Sequence, residues 1–476
     1  MLFNSFSFGL FLPIVLCLYW LIGYKKVKYQ NILLLIASYF FYGLWDWRFL
    51  LLILASSLID YFAGIEISKS HKVSRKKLFL YSSIVWNLGV LFIFKYYNFF
   101  IDEFSALFNL ESSDYTFSSL QIILPVGLSF YTFQTMSYTL DVYKKNIKPT
   151  TNLLQFLCFV SFFPQLVAGP IERAKNLLPQ FSKERKFDIA TSKDGLRLIL
   201  WGLFKKMVVA DNVAIAVNAI YLSPEDQGSL SLFYASILFF FQIYCDFSGY
   251  SDIAIGSAKL FGFKLSKNFN IPYLARSGAE FWQRWHITLT KWFLDYVYGP
   301  IVKNRKGSYF AKTFALFVSM GLIGLWHGAK WTFVFFGIYQ AIIIAIERIP
   351  FKIKDKKVSI SYYLARMPFA FTLIYIFILI STSSIFFRAD TLESAFYIIK
   401  KIVSFVPSEQ FSIISTRVLF VPLLIALEYF TRRKNHPFEF FEKKFSKPVR
   451  WLIYYAFVLI IIRYAGPKEE FIYFQF

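Results

Sequence analysis

Cysteine and histidine are scarce in this sequence of 476 residues, which contains three cysteines and four histidines. Cys17, Cys158 and Cys245 lie far apart within apolar stretches and lack the CxxC spacing of zinc sites. This pattern indicates small buried hydrophobic residues. It supports no metal site.

The sequence also lacks the short motifs that identify common soluble enzymes. It has no GxSxG nucleophile motif, no Walker A loop and no dinucleotide-binding glycine pattern. No repeat of fixed period is present either. These absences exclude the usual soluble hydrolases and nucleotide-driven proteins.

Charged residues are few, at 17%, whereas hydrophobic residues reach 57% and aromatic residues 21%. This is more apolar surface than a soluble globular protein can bury. A bilayer core of about 30 Å needs about 20 apolar residues per helical crossing, and the chain offers roughly 11–14 hydrophobic segments. We therefore predict an all-α, multi-pass protein of the plasma (inner) membrane, with residues 1–476 as one transmembrane domain.

The net charge of +23 is concentrated in short loops between the hydrophobic runs, such as 69–77 and 432–434. The positive-inside rule places such loops in the cytoplasm, so the charge indicates topology and not a nucleic-acid partner. The acidic loop 224–226 then lies outside. This assignment puts region 257–310, with His286, at the cytoplasmic interface, and leaves 310–346, with His327, as intramembrane helices.

His286 lies in the stretch EFWQRWHITLTKW, residues 280–292. Aromatic and aliphatic residues recur there at three- and four-residue spacing, which predicts one helix lying at the membrane interface. His286 falls at the border of the apolar stripe. Two interpretations remain open, an interfacial histidine satisfied by water and a functional imidazole.

His327 lies in GLIGLWHGAKWTF, residues 321–333. If this stretch is helical, Gly324 and Gly328 have the GxxxG spacing that lets another backbone approach closely. An imidazole beside such a groove could meet a thin, extended ligand. The alternative is a helix-packing motif whose histidine bonds a neighbouring helix.

Several longer stretches resemble the membrane-bound O-acyltransferase family, in its bacterial branch of the alginate O-acetyltransferase type. They are rich in Trp, Pro and Gly, and they extend over most of the chain. The stretches are EFWQRWHITLTKWFLDYVY (280–298), GLWHGAKWTF (324–333), LPVGLSFYTFQTMSYTLDVY (124–143), FFPQLVAGPIERAKNLLPQF (162–181), FFQIYCDFSGYSDIAIGSAKLFGF (240–263) and FFRADTLESA (386–395).

The resemblance implies a helix bundle around a central funnel or tunnel. It implies that His327 and His286 are catalytic, with His327 as the reacting base. The supporting positions that it implies are Trp285, Asp295, Trp326 and Arg284. It also implies acetyl-CoA as the cytosolic acyl donor, no metal, and an exported or membrane-anchored acetyltransferase partner that completes transfer to a polysaccharide.

The charges of Lys205, Lys206 and Arg284 suit the phosphates of coenzyme A. The alternative, which is favoured for any single lysine, is that the charge only fixes the membrane topology. Two departures from the family pattern stand out, the loop at 299–308 and Gln340 where relatives often carry a further histidine.

Other functions stay open. A proton-coupled transporter would also use intramembrane histidines together with Asp246 and Asp252. A related enzyme could transfer D-alanine from a carrier protein to teichoic acid. A purely structural scaffold is the last alternative.

Overall fold

The computed structural model describes residues 1–22, 26–108, 123–167, 169–305, 307–353, 356–407 and 416–474. These residues are almost entirely helical, which confirms the all-α prediction. Within those ranges, the strands form one antiparallel pair, Pro350–Ile353 with Lys356–Ser359. Residue 306 of the divergent 299–308 loop lies outside the described residues.

The chain divides into two compact units, and the single-domain prediction stays a prediction. The first unit comprises residues 1–196 and 253–266, and the second comprises 197–252 and 267–476. The helices that begin in the first unit are Phe6–Ile22, Val27–Asp46, Arg48–Lys69, Val73–Leu91 with its π-helical and α-helical continuations Phe92–Tyr96 and Tyr97–Leu107, Leu128–Tyr143, Leu153–Ser161, Phe163–Leu166, Ala174–Leu177, Leu178–Phe181 and Ile189–Leu203.

The second unit contains the remaining helices and both predicted catalytic histidines. These helices are Phe204–Ala210, Asp211–Tyr221, Pro224–Asp226, Ser229–Leu260, Pro272–Leu274, Gly278–Arg284, Ile287–Phe293, Leu294–Tyr298, Gly299–Asn304, Tyr309–His327, Trp331–Glu347, Ile360–Leu364, Phe369–Arg388, Leu392–Val403, Thr416–Leu419, Phe420–Thr431, Pro437–Lys444, Lys447–Tyr464 and Ile472–Phe474. The part of the Ser229–Leu260 helix from Ile253 onward belongs to the first unit.

Membrane-spanning helices account for the apolar composition. In the described part of the chain, five helices are long and apolar enough to cross a bilayer, and three shorter apolar helices accompany them. The count is lower than 11–14 because several predicted runs form shorter helices, such as the 12-residue Phe420–Thr431. Large apolar side chains also face outward, as on Lys447–Tyr464, where Ile462 is 74% exposed. Lipid is the solvent that suits such a face.

The long helix Ser229–Leu260 carries residues that matter for the site. Its 32 residues correspond to about 48 Å at 1.5 Å per residue. Of its apolar 18-residue window, 72% is buried. A helix enclosed to this degree can hold polar groups such as Asp246 inside the protein and away from lipid.

Candidate functional site

His286 lies at a sharp break between two short helices, Gly278–Arg284 and Ile287–Phe293. Its φ of 39° is left-handed, a conformation that costs a residue with a Cβ roughly 1–2 kcal/mol. The prediction of one continuous helix is therefore wrong, because the apolar stripe continues through a turn. Strained backbone of this kind persists where surrounding contacts enforce it, and it is concentrated at functional sites.

Backbone pairing with the segment around residue 269 holds this break in place. The Ile287 amide donates to the Asn268 carbonyl at 2.8 Å, and the Asn270 amide donates to the Arg284 carbonyl at 2.9 Å. The Arg284 guanidinium donates to the Asn270 carbonyl at 3.2 Å and pairs with Glu280 at 2.7 Å. In the structure Arg284 thus stabilises the turn, which differs from the phosphate contact expected from sequence.

The His286 imidazole is fully buried, and one side chain fixes its tautomer. Its Nδ1 lies 3.2 Å from Asn268 Oδ1, which also accepts from the Thr288 amide at 3.3 Å and from the Thr288 hydroxyl at 2.9 Å. Because an amide N–H can only donate, the oxygen of Asn268 faces this group, and His286 Nδ1 carries the proton. Burial also lowers the pKa of His286 to about 3, so the ring is neutral at pH 7 with its lone pair on Nε2.

His327 is the last residue of the Tyr309–His327 helix and is only 1% exposed. Its imidazole packs among aromatic rings. The ring centroids of Phe387 and Phe336 lie 5.1 Å and 5.9 Å from that of His327. The residue is therefore enclosed by apolar side chains at the point where its helix ends.

Two glycines bring this helix into backbone contact with the next one. A Cβ added at Gly324 or at Gly337 would lie 2.1 Å from a carbonyl oxygen of the other helix. The prediction that Gly324 and Gly328 together form a GxxxG helix contact is wrong for Gly328. That residue lies beyond the end of the helix and faces a phenylalanine ring. The tight packing at Gly324 fixes the position of His327 one turn away.

The structure brings His286 and His327 into one aromatic cluster, although they are far apart in the sequence. The ring centroid of Trp326 lies 5.5 Å from that of His286 and 5.1 Å from that of His327. The ring centroid of Tyr473 lies 6.5 Å and 5.6 Å from the same two histidines. We call these four side chains the histidine cluster.

Tyr473 is the member of the histidine cluster that sequence reasoning missed. It belongs to the stretch FIYF, residues 471–474, which follows the polar stretch 467–470. Its ring is partly exposed and packs on Phe247 with a centroid distance of 4.6 Å. The available signal was an aromatic-rich run too short to cross a membrane, placed after the last hydrophobic segment.

The remaining predicted supporting residues lie in different surroundings. Trp285 is buried, and its ring lies 5.2 Å from that of Phe269, which in turn lies 6.2 Å from His286. Asp295 is exposed on the π-helical segment Leu294–Tyr298, whereas both histidines are buried. Trp326 is therefore the supporting residue that the structure brings against both imidazoles.

A small apolar cavity of about 30 Å³ is lined by two of the phenylalanines that pack on His327. Phe336 and Phe387, whose rings contact His327, form part of its wall together with Trp285. Its lining of aromatic and aliphatic side chains suits an apolar group such as the methyl of an acetyl group. The cavity therefore places an apolar space of limited volume beside a catalytic candidate.

Gln340 forms part of the same wall, at the position where the sequence departs from the family pattern. Its side-chain oxygen accepts from Trp282 Nε1 at 3.0 Å, and its nitrogen donates to Ser383 Oγ at 2.5 Å. The residue is completely buried. Here Gln340 acts as a polar bridge that fixes the wall of the cavity.

Lys205 and Lys206 are buried in ion pairs. Lys205 Nζ lies 2.6 Å from Asp252 Oδ2, and Lys206 Nζ lies 2.7 Å from Asp211 and 2.8 Å from Asp246. The structure thus pairs both lysines with carboxylates of the protein, so the suggestion that they meet donor phosphates gains no support from it. The pairs also account for the two intramembrane aspartates on which the transporter alternative depended.

The arrangement has the parts of a general-base site. A buried imidazole can take a proton from an attacking hydroxyl and return it to a leaving group. Among the residues that the structure describes, no three His, Cys, Asp or Glu side chains come together as a metal site. Proton transfer beside a short apolar cavity is the chemistry that these residues can perform.

Comparison with known proteins shows similarity to enzymes that transfer acyl groups. A sequence model of the membrane-bound O-acyltransferase family matches residues 144–388, which include both His286 and His327. The chain is 40% identical to the probable alginate O-acetylase AlgI of Pseudomonas aeruginosa over 347 residues. That alignment covers 72% of this chain and 65% of the relative, slightly less than two thirds of its length.

Two further relatives have different printed activities. The peptidoglycan O-acetyltransferase of Helicobacter pylori is 32% identical over 443 residues, which cover 85% of this chain and 80% of that protein. The teichoic acid D-alanyltransferase of Streptococcus thermophilus is 26% identical over 312 residues, which cover 60% of this chain and 74% of that protein. Identity is thus higher to the two acetylating relatives.

Proposed function

Because the chain belongs to the membrane-bound O-acyltransferase family, we propose that it transfers an acetyl group from acetyl-CoA to an oxygen acceptor. The observation that carries the proposal is the burial of His286 and His327 against the same two aromatic rings. Family membership alone supports O-acyl transfer. The choice of acetyl is supported by the names of the acetylating relatives.

His327 is the general base in this proposal. A hydroxyl attacks a thioester slowly at neutral pH because its proton must leave as the new carbon–oxygen bond forms. His327 takes that proton, the carbon–sulfur bond breaks, and the imidazolium returns the proton to the departing thiolate.

His286 has a different role because its tautomer is fixed. Its Nδ1–H donates to Asn268, so Nε2 carries a lone pair and can accept a hydrogen bond. A ring in this state orients a hydroxyl better than it polarises a carbonyl oxygen. We therefore assign His286 to positioning the acceptor.

Tyr473 is the first acceptor in this proposal, since its ring contacts both imidazoles and carries a hydroxyl. Its oxygen attacks the thioester carbonyl, its proton passes to His327, and coenzyme A leaves as the thiol. The product is an acetyl ester of tyrosine. A phenolate is a weaker base than an alkoxide and leaves more readily, so this ester can pass the acetyl group to a sugar hydroxyl.

The final acceptor in our proposal is an exported or cell-surface polysaccharide of the alginate type. Acetyl-CoA is cytosolic and its phosphates cannot cross lipid, so only the acetyl group passes through the plasma membrane. An exported or membrane-anchored acetyltransferase partner then completes the transfer to sugar. The names of the similar proteins, which refer to alginate and peptidoglycan, support a polysaccharide destination.

The proposal is tested with purified protein in lipid vesicles supplied with acetyl-CoA that carries a labelled acetyl group. We expect release of free coenzyme A and transfer of label, and we expect His327→Ala to reduce both by about 100- to 10,000-fold, the contribution of a general base. His71→Ala is the matched control, because His71 lies in an exposed loop. Equal activity of His327→Ala and wild type would contradict the assignment of the base.

The same vesicles separate the alternatives. Label transfer from a D-alanyl carrier protein and none from acetyl-CoA would identify the D-alanyl branch. Movement of a substrate across the membrane without thiol release would identify a transporter. Full activity in a correctly assembled His327→Ala variant would leave a scaffold role for this residue.

A further inference from the structure

We infer that a buried charged triad of Asp211, Lys206 and Asp246 is a clamp that holds the 465–474 segment and thereby positions Tyr473. The inference rests on the proposed function, because it concerns the residue that we assign as first acceptor. It makes Lys206 and Asp246 positioning residues, which act on the reaction through Tyr473 and touch neither donor nor acceptor themselves.

The triad is enclosed inside the second unit. The side chains of Lys206, Asp211 and Asp246 are 1%, 3% and 4% exposed. Lys206 Nζ lies 2.7 Å from Asp211 Oδ1 and 2.8 Å from Asp246 Oδ1. One cation thus neutralises only one of two buried carboxylates, and the other needs further hydrogen bonds to remain ionised.

The 465–474 segment supplies those hydrogen bonds from its backbone. Asp246 Oδ2 accepts from the Ile472 amide at 2.7 Å, and Lys206 Nζ donates to the Glu469 carbonyl at 3.2 Å. Asp246 and Lys206 therefore bind two different peptide groups of the segment. Ile472 directly precedes Tyr473, so the contact to Asp246 fixes the backbone next to the proposed acceptor.

The start of the segment is anchored to the same helical region. The Gly466 amide donates to the Met207 carbonyl at 2.8 Å, and Asn212 Nδ2 donates to the Tyr464 carbonyl at 2.8 Å. A Cβ added at Gly466 would lie 2.7 Å from the carbonyl carbon of Asp211. The segment is therefore held at both ends, by backbone contacts at its start and by the triad near its end.

Aromatic packing completes the link from the triad to the histidine cluster. Phe471 lies 4.6 Å from Tyr250 and 5.6 Å from Phe247 by ring centroids. Phe247 also packs on Tyr473 at 4.6 Å and on His286 at 4.7 Å. Asp246 and Phe247 are neighbours on one helix. This helix therefore binds the backbone amide of Ile472, the ring of Tyr473 and the ring of His286.

The sharpest test removes one hydrogen bond from the segment and leaves the triad intact. Ile472→Pro deletes the amide that donates to Asp246, at the first position of a short 3₁₀ helix where proline is tolerated. We expect kcat for acetyl transfer to fall about 100-fold, the scale of a misplacement of about 1 Å, with KM for acetyl-CoA unchanged. Ile472→Val keeps the amide and is the matched control, with kcat expected near wild type.

A spectroscopic readout reports the position of Tyr473 without depending on catalysis. Fluorotyrosine is incorporated at position 473 alone, and its ¹⁹F resonance is recorded in detergent. Ile472→Pro and Asp246→Ala should move the resonance toward that of a solvent-exposed ring, whereas Ile472→Val should not. Asp252→Ala, which breaks the other lysine–aspartate pair on the same helix, should leave the resonance in place.

The outcomes are distinct. A shifted resonance together with lowered kcat supports the clamp. A resonance that stays in place in both Ile472→Pro and Asp246→Ala overturns it, whatever happens to kcat. If wild type transfers no acetyl group, the proposed function fails, and the ¹⁹F measurement still decides whether the triad positions Tyr473. Asp246→Asn keeps an oxygen that can accept from the Ile472 amide. A resonance in Asp246→Asn close to that of wild type supports the clamp, and a resonance shifted as in Asp246→Ala counts against it.

Discussion

At the scale of single residues, His286 combines a left-handed backbone with a ring whose tautomer is fixed by Asn268. Ile271, in the segment that pairs with it, is also left-handed at a φ of 49°, which is rare for a β-branched residue. Two strained residues on paired segments indicate that surrounding contacts stabilise this geometry. The benefit is a neutral ring held in one orientation beside His327.

The hydroxyl of Tyr473 should be required for a covalent intermediate. After incubation with labelled acetyl-CoA, wild type should retain label that survives denaturation, and Tyr473→Phe should retain none because it lacks the attacking oxygen. Tyr455→Phe is a suitable control, since Tyr455 is 61% exposed on an outward-facing helix. Label retained by Tyr473→Phe would show that another residue is the first acceptor.

Stability should depend on pH through His286. Burial lowers its pKa from 6.5 to about 3, so between these values the unfolded chain binds a proton that the folded protein does not. This contribution to stability is complete above about pH 6.5 and is lost as the pH falls toward 3.

We expect the thermal unfolding midpoint of the wild type in detergent to fall as pH is lowered from 6.5 to 4. His286→Asn should fall less, because asparagine does not titrate and tolerates the left-handed backbone. An equally steep fall in both proteins would assign the pH dependence to other groups.

At the scale of elements, the Tyr309–His327 and Trp331–Glu347 helices meet through Gly324 and Gly337. Each glycine lies where a Cβ would overlap a carbonyl oxygen of the other helix. His327 is three residues from Gly324, so the distance between the two helices determines where its ring lies. The position of the proposed base thus depends on glycines that pack one helix against the other.

Gly324→Ala should force the two helices apart. We expect a loss of about 1–3 kcal/mol of stability, the usual cost of overpacking, together with reduced acetyl transfer because His327 moves. Gly321→Ala is the matched control on the same helix, since nothing lies within 4 Å of a Cβ added there. Thermal unfolding and the vesicle assay measure both effects, and equal behaviour of the two variants would contradict the packing argument.

At the scale of the whole molecule, charge and hydropathy assign the sides of the membrane. The basic loop 69–77 is expected in the cytoplasm and the acidic loop 224–226 outside. Under the proposed function, this orientation gives the cytosolic donor and the exported acceptor separate approaches. It is the arrangement that a protein passing only an acetyl group across the membrane requires.

Cysteine labelling tests the orientation. In a Cys17→Ala background, a membrane-impermeant thiol reagent should modify Ser70→Cys only from the cytoplasmic side and Asp226→Cys only from the outer side. Cys17 is replaced because it is exposed, whereas Cys158 and Cys245 are buried and can remain. Labelling of both positions from one side would show that the predicted topology is wrong.

Particular residues show how far sequence reasoning reached at the candidate site. The apolar neighbours of His286 and His327 were visible in the sequence. The complete burial of His286 came from the structure, because its position at the border of the apolar stripe also allowed an interfacial histidine satisfied by water. The helix across residues 281–296 did not form as predicted, because periodicity cannot detect a left-handed residue that leaves the apolar stripe intact. The charges of Lys205 and Lys206 suggested a role in binding phosphates. The ion pairs that they form were not foreseen, because sequence alone gives no sign of the aspartates that pair with them.

The sequence by itself determined the membrane class and the helical architecture, because composition and hydrophobic runs are local properties that a bilayer selects directly. It also marked two histidines as candidates. Only the tertiary structure decided that Tyr473 lies against both imidazoles and that Asp246 and Lys206 bind the segment carrying it. These contacts join residues far apart along the chain, and their formation depends on how helices pack. No local sequence pattern predicts contacts of this kind.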